Sequence, residues 1–361
     1  MIELQEKEAL QQSLITWFQS HRREMPWRES ANPYFIWISE IMLQQTQVVT
    51  VVPYFERFIR QFPTVHDLAE VDSHQVMKAW EGLGYYSRAR NMHGAAREIV
   101  TRFHGTVPDN LEALLSLPGI GRYTAGAILS IAYGIKAPIL DGNVIRVLTR
   151  VFHITDNVDK TATKTILWDF ATSILPDEKL RDFNEGLMEL GATVCTPASP
   201  DCPHCPWQAH CEAFRLGIQE ELPFKTPKKP VPHLDVTAGV IWKDDQFLIT
   251  LRPPKGLLGG LWEFPGGKVE EGETLEACLR REIDEELAIR VRVGKKLIAV
   301  NHAYTHFKIT LHVFECDFES GILEPRACDD FRWITAEQLG DFAFPGADRK
   351  VIAAIRKEHL A

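Results

Sequence analysis

The hydrophobic period of this chain changes once, near residues 223–232, and that change rules out a single layered fold for its 361 residues. From residue 7 to about residue 213, apolar side chains recur at helix spacing in runs such as 37–62, 111–117 and 144–152. Val144, Val147, Leu148 and Val151, for example, fall on one face of a helix. Beyond the change, residues 236–240, 247–251, 290–293 and 308–314 read as strands, with one helix over 275–287. In between, Lys225, Lys228 and Lys229 stand among four prolines, the composition of a stiff spacer. The sequence thus predicts a multidomain protein: an all-α domain over 1–222, a linker over 223–234 and an α+β domain over 235–361.

Four cysteines close the helical part. Cys195, Cys202, Cys205 and Cys211 are separated by six, two and five residues. A zinc ribbon more often shows two tight pairs well apart. One tight pair flanked by two looser thiols suits a cubane that offers four separated iron corners. The reading is a [4Fe-4S] cluster loop over residues 190–214, with zinc and a disulfide framework as the alternatives. Pro197, Pro200, Pro203 and Pro206 keep that loop extended, able to wrap an inorganic core. Cys278, Cys316 and Cys328 are scattered and read as buried free thiols.

The net charge is −9, which gives no support to indiscriminate coating of DNA. Any nucleic-acid contact must be local, made by backbone amides and a few placed cations. The first ten residues are polar and charged, unlike a signal peptide, and no apolar run approaches membrane-spanning length. The expectation is a monomer of a reducing, cytoplasmic compartment with no membrane partner.

Three segments carry chemistry. In Leu117-Pro118-Gly119-Ile120-Gly121-Arg122, a turn with Gly119 and Gly121 joins two helical patterns. Such a turn bares backbone N–H groups that bind a phosphate oxygen without a side-chain charge. The plain alternative is a helix-turn-helix corner. Glu40 has Ile36, Trp37 and Leu43 as helical neighbours, so its carboxyl lies on an apolar face where desolvation favours the protonated form. Otherwise it is a surface glutamate at a helix end. Asp141 precedes a helix; it fits an N-cap, and the helix dipole and free amides are expected to keep it ionised. A neutral acid opposite a fixed anion is the pair that cleaves an N-glycosidic bond.

The hairpin resembles the helix-hairpin-helix of the endonuclease III superfamily. Residues 39–46 (Ser39-Glu40-Ile41-Met42-Leu43-Gln44-Gln45-Thr46), 140–144 and 81–90 resemble those of the MutY-type adenine DNA glycosylases. The resemblance implies that the substrate is double-stranded DNA with adenine mispaired with 8-oxoguanine or guanine. It implies that Glu40 protonates the adenine, that Asp141 stabilises the sugar C1′, and that Tyr123 and Asn143 support the charged intermediate. Strand-cutting relatives carry a lysine where Tyr123 stands; a phenol cannot form their Schiff base, so no strong lyase activity is expected. Gln45 and Tyr85 would form a wedge that fills the stack when adenine is flipped out. Arg23, Trp27, Arg28, Leu43 and Glu185 would line the base pocket. Hairpin carbonyls of Leu115, Leu117 and Ile120 would hold a cation that bridges to phosphate.

In the α+β part, Gly267, Glu273, Arg281, Glu282, Glu285 and Glu286 are spaced as in the Nudix box, with Ala288 in place of its last glycine. Glu282, Glu285 and Glu286 would converge as a site for Mg2+. The resemblance implies a domain that reads 8-oxoguanine through a loop holding Tyr304, Thr305 and His306, and the box keeps open a nucleotide hydrolase activity. Three rival readings are an endonuclease III-like pyrimidine glycosylase and lyase, a nucleotide pyrophosphohydrolase tethered to DNA, and a non-enzymatic iron-sulfur sensor.

Overall fold

The computed structural model describes residues 4–227 and 230–359, so Lys228 and Lys229 of the expected linker lie outside the described residues. Among the described residues twelve α-helices come first: α1 (Leu4–His21), α2 (Pro33–Leu43), α3 (Val48–Gln61), α4 (Val65–Glu70), α5 (Ser73–Ala79), α6 (Ser87–Phe103), α7 (Leu111–Leu115), α8 (Arg122–Ala127), α9 (Gly142–Val151), α10 (Thr161–Ser173), α11 (Leu180–Thr193) and α12 (Glu212–Leu216). Then follow β1 (His233–Lys243), β2 (Gln246–Leu251), β3 (Trp262–Glu263), α13 (Leu275–Leu287), β4 (Ile289–Ala303), β5 (Lys308–Gly321), β6 (Asp330–Ile334) and α14 (Gly346–His359). The chain divides into two compact units, residues 1–70 with 91–228 and residues 71–90 with 229–361. The segment that carries α5 therefore belongs to the second unit, although it lies within the first part of the chain. Among the described residues no helix is long and apolar enough to cross a membrane.

The first unit is helical, and its core gathers the apolar faces of α1, α9 and α11. Leu10 and Leu14 meet Val144, Val147, Leu148, Leu187 and Leu190 there, all buried. Trp207, from the cysteine loop, is buried in the same core and donates its indole N–H to the Leu10 carbonyl at 2.8 Å. An indole so placed anchors the loop by area and by a satisfied polar atom at once. The run expected over 37–62 is broken at residues 44–47, where Gln45 takes φ +57°. A left-handed residue ends a helix, and a non-glycine there is held by its surroundings.

The second unit is a mixed sheet between two helices. β1 runs parallel to β5 from His233↔Lys308 to Trp242↔Asp317, β4 and β5 form a long antiparallel hairpin, and β2 pairs antiparallel with β1, β3 and β6. Alternate side chains part to opposite faces, as a period of two requires. Phe247 and Ile249 pack with Val351 and Ile355 of α14, whereas Leu248 packs with Leu279, Ile283 and Leu287 of α13. α13 keeps the bounds expected from sequence. It ends on Ala288 at φ +56°, ψ +28°, the left-handed cap that glycine fills without strain. Ala288→Gly should therefore raise stability by about 0.5–1 kcal/mol, read as a shift in the urea midpoint. A lower midpoint would show that the cap is not strained.

Candidate active site

α2 is buried along almost its whole length, and Glu40 with it, at 4% exposure. Asn32 caps the helix through the Tyr34 N–H, and Pro33 at its first turn suits a start that needs no donor. Tyr123, near the start of α8, donates its phenol to Glu40 Oε2 at 2.5 Å, with Met188 Sδ a weaker acceptor at 3.2 Å. Burial pushes the Glu40 carboxyl up to about 7; the tyrosine bond opposes this, Asp141 and Glu185 add to it, and Arg28 opposes it. Near neutral pH this carboxyl therefore holds a proton a large part of the time, the state a general acid needs.

Asp141 is the N-cap of α9. Its Oδ1 accepts the Val144 N–H at 2.8 Å, and its Oδ2 accepts the Asn143 amide at 3.0 Å. Asn143 Oδ1 in turn accepts Arg146 Nη2 at 2.9 Å, while Arg146 Nε donates to the Cys195 carbonyl at 2.7 Å. One buried guanidinium thus fixes the amide that fixes the aspartate, and ties both to the cysteine loop. The expectation that Asp141 sits in an electrostatic setting opposite to that of Glu40 needs correction. Burial raises the Asp141 carboxyl too, against the Val144 amide, Asn143 and Arg146. The two acids differ in their partners: one phenol holds Glu40, whereas two N–H donors and a nearby guanidinium favour charge on Asp141.

Glu40, Tyr123, Asp141 and Asn143 line one cleft of about 1010 Å³ in the first unit, together with Arg23, Trp27, Arg28, Leu43, Gln45, Gly119, Gly121 and Glu185. Every first-unit side chain expected at the catalytic centre or base pocket is brought there. Gly119 takes φ +76°, and a Cβ on it would stand 2.7 Å from Asn91 Cβ, so the hairpin turn requires glycine. Gly121 caps α8 without a side chain, leaving backbone at the cleft wall. Sequence reading missed Glu189, which binds Arg23 and Arg28, and Arg146. Each had a signal: Glu189 stands four residues after Glu185 on α11, and Arg146 three after Asn143 on α9.

Cys195, Cys202, Cys205 and Cys211 line a second cavity in this unit, with Val147, Arg150 and Leu190. Burial pushes the Cys205 thiol up to about 12. Among the described residues no group of three or more His, Cys, Asp or Glu side chains is placed to hold a metal ion. Arg150, buried, donates to Cys195 Sγ at 3.3 Å and to the Thr196 carbonyl at 2.7 Å.

In the second unit, Tyr85 and Thr305 share a hydroxyl hydrogen bond of 2.6 Å. They line a cavity of about 490 Å³ with Tyr304 and His306. Tyr85 takes φ +48°, a strained left-handed backbone like that of Gln45. Tyr304 is half-buried against His302 and Phe307, and Thr305 and His306 are exposed. Among the described residues Glu282, Glu285 and Glu286 form no metal-holding group, and two of them face one arginine. Arg281 pairs with Glu282 at 2.9 Å and Glu285 at 3.2 Å, and also holds Glu273. Burial pushes the Glu286 carboxyl up to about 7, helped by the charges of Glu263 and Glu282.

Residues 38–172 match the family described as HhH-GPD superfamily base excision DNA repair protein, and residues 237–354 match the NUDIX domain. The chain is 34% identical to the adenine DNA glycosylase of Rattus norvegicus over 406 residues, which cover 97% of this chain and 78% of that protein. It is 34% identical to that of Homo sapiens, covering 95% and 73%, and 34% to that of Buchnera aphidicola subsp. Acyrthosiphon pisum, covering 85% of each. Among solved structures, a thermostable thymine-DNA glycosylase is 31% identical with a TM-score of 0.54, over 58% of this chain and 97% of that one. An endonuclease III in complex with DNA, 24% identical over 61% of this chain and all of that one, shares the fold at a TM-score of 0.51. With both of its parts aligned to these relatives and its acids set in one cleft, the chain belongs to the adenine DNA glycosylase family.

Proposed function

We propose that this enzyme excises adenine mispaired with 8-oxoguanine, or with guanine, from double-stranded DNA by acid-assisted hydrolysis of the N-glycosidic bond. The observation that carries the reading is Glu40, buried in the cleft, bonded to Tyr123 and coupled to Asp141. Glu40 gives its proton to adenine N7, so the electron pair of the breaking C1′–N9 bond leaves with a neutral base. Asp141, held by Val144 and Asn143, stabilises the positive sugar until water adds at C1′ and loses its proton. Arg23, Trp27, Arg28, Leu43 and Glu185 shape the pocket for the flipped base, and Gln45 takes its place in the stack.

Tyr304, Thr305 and His306 read 8-oxoguanine, with the Thr305 hydroxyl as the hydrogen-bonding group. Cys195, Cys202, Cys205 and Cys211 would hold a [4Fe-4S] cluster, which when bound gives the loop an ordered core. The hairpin grips a phosphate through its backbone, with a cation on the carbonyls of Leu115, Leu117 and Ile120. The enzyme works as a cytoplasmic monomer. Because Tyr123 has no amine, base removal leaves the strand intact.

The test uses duplexes with A:8-oxoG, A:G and thymine glycol. Cleavage is expected only after hot alkali and only on the adenine strand. Spontaneous nicking, or release from the thymine-glycol duplex, overturns the reading. Thr305→Val should lower the preference for A:8-oxoG over A:G by about 3- to 10-fold, the worth of one hydrogen bond; an unchanged preference removes Thr305 from lesion reading.

A further inference from the structure

The cleft wall formed by α11 carries two buried glutamates one turn apart, and the second has no place in the reaction just described. Glu189 is 1% exposed and fully engaged. Its Oε1 accepts the backbone N–H of Arg23 at 3.1 Å and Arg23 Nε at 2.6 Å; its Oε2 accepts Arg23 Nη2 and Arg28 Nη2, each at 3.0 Å. Burial would raise this carboxyl, but the two arginines together outweigh burial and hold it below the usual carboxylate range. It is therefore a buried anion, satisfied on both oxygens.

Arg28 is the cation this arrangement controls. Its side chain is only 10% exposed, with Nε 3.5 Å from Glu185 Oε1 and Nη1 3.0 Å from the Arg23 carbonyl. The guanidinium lies 5.2 Å from the Phe18 ring centroid. Its closest carboxylate contact is Glu189, not Glu185. The groups that act on Glu40 come from every element around it: Tyr123 on α8, Asp141 at the head of α9, Glu185 on α11, and Arg28 on the turn Pro26–Arg28. Of these, Arg28 alone is positive. A guanidinium free to turn toward Glu40 would favour its carboxylate form and deprive the reaction of its proton.

We propose that Glu189 is a positioning residue that holds the Arg28 guanidinium against α11 and so withholds it from the acid Glu40. Arg28 then remains near enough to line the base pocket while its charge is spent on α11. The proposal rests on the reading of Glu40 as the general acid. Its geometry also explains why two arginines share one carboxylate: the backbone N–H of Arg23 pins the chain three residues ahead of the turn, and the side chains of Arg23 and Arg28 close on Glu189 from both of its oxygens.

The experiment is single-turnover adenine release by the full chain across a pH series, for the wild type, Glu189→Gln and Glu189→Asp. In Glu189→Gln the midpoint above which the rate falls should move down by about one pH unit, the size expected when an opposite charge approaches a carboxylate. Release should be about fivefold slower than wild type at pH 7 and approach about tenfold slower above it, and the deficit should close in acid, where Glu40 is protonated whatever Arg28 does. Glu189→Asp keeps the charge one methylene shorter and should lie between the two. The double variant Arg28→Gln/Glu189→Gln should return the midpoint toward the wild-type value even if its substrate binding is weaker. A loss that is the same at every pH, in either single variant, overturns the proposal and leaves Glu189 a packing residue. If Glu189→Gln does not fold, the Glu189→Asp profile decides by the same criterion. A wild-type rate with no alkaline fall would instead overturn the reading of Glu40, so the two failures are distinguishable.

Discussion

Glu40→Gln should reduce adenine release by about 10²- to 10⁴-fold in single turnover while leaving duplex binding within a few-fold of wild type. The amide matches the protonated acid in shape and can keep a hydrogen bond with Tyr123 Oη, so the cleft is conserved and only the transferable proton is lost. Without that proton the base must leave as an anion, and Asp141 cannot compensate, because its oxygens are committed to Val144 and Asn143. Alkali-revealed cleavage against time gives the rate, and a gel shift on uncleaved duplex gives the binding. Turnover within tenfold of wild type would remove Glu40 from the mechanism.

Arg150→Met should destabilise the first unit by about 3–5 kcal/mol and release the cysteine loop. Arg150 is 1% exposed, and its donors serve the carbonyls of Leu222, Thr196 and Pro197 at 3.0, 2.7 and 3.1 Å, besides Cys195 Sγ. Methionine fills much of the space but donates nothing, so three carbonyls that bracket the loop lose their partners inside the protein. Each such loss costs about 1–3 kcal/mol, reduced where the loop opens to water. The unfolding midpoint and the iron content of the purified variant report the two effects. A midpoint within about 1 kcal/mol of wild type, with iron retained, would show that the loop does not depend on this cation.

Much of the fold was legible because period and burial agree locally. The Val144, Val147, Leu148 and Val151 stripe is buried as its spacing demands, and Glu40 lies among Ile36, Trp37 and Leu43 as the helix pattern implies. What the sequence concealed depends on partners far along the chain. Residues 71–90 read as more of the helical part, yet Glu81 accepts the Phe344 N–H at 2.9 Å and Lys78 donates to the Phe342 carbonyl at 2.8 Å, more than 250 positions away. No local period records such a contact. The strands β3 and β6 escaped for a related reason: β3 has two residues, and β6 is defined by its ladder to β2. The upward push on Asp141 was not legible because capping amides are visible in a sequence, while the burial that outweighs them depends on residues far along the chain.

The most direct test of the central claim, that a buried carboxylic acid supplies the proton for base departure, is the pH dependence of single-turnover adenine release from an A:8-oxoG duplex. The account predicts a plateau in mild acid and a fall of about tenfold per pH unit above a midpoint near 7, the value to which burial and Asp141 bring Glu40. A rate that stays constant or rises as the medium is made alkaline would contradict it.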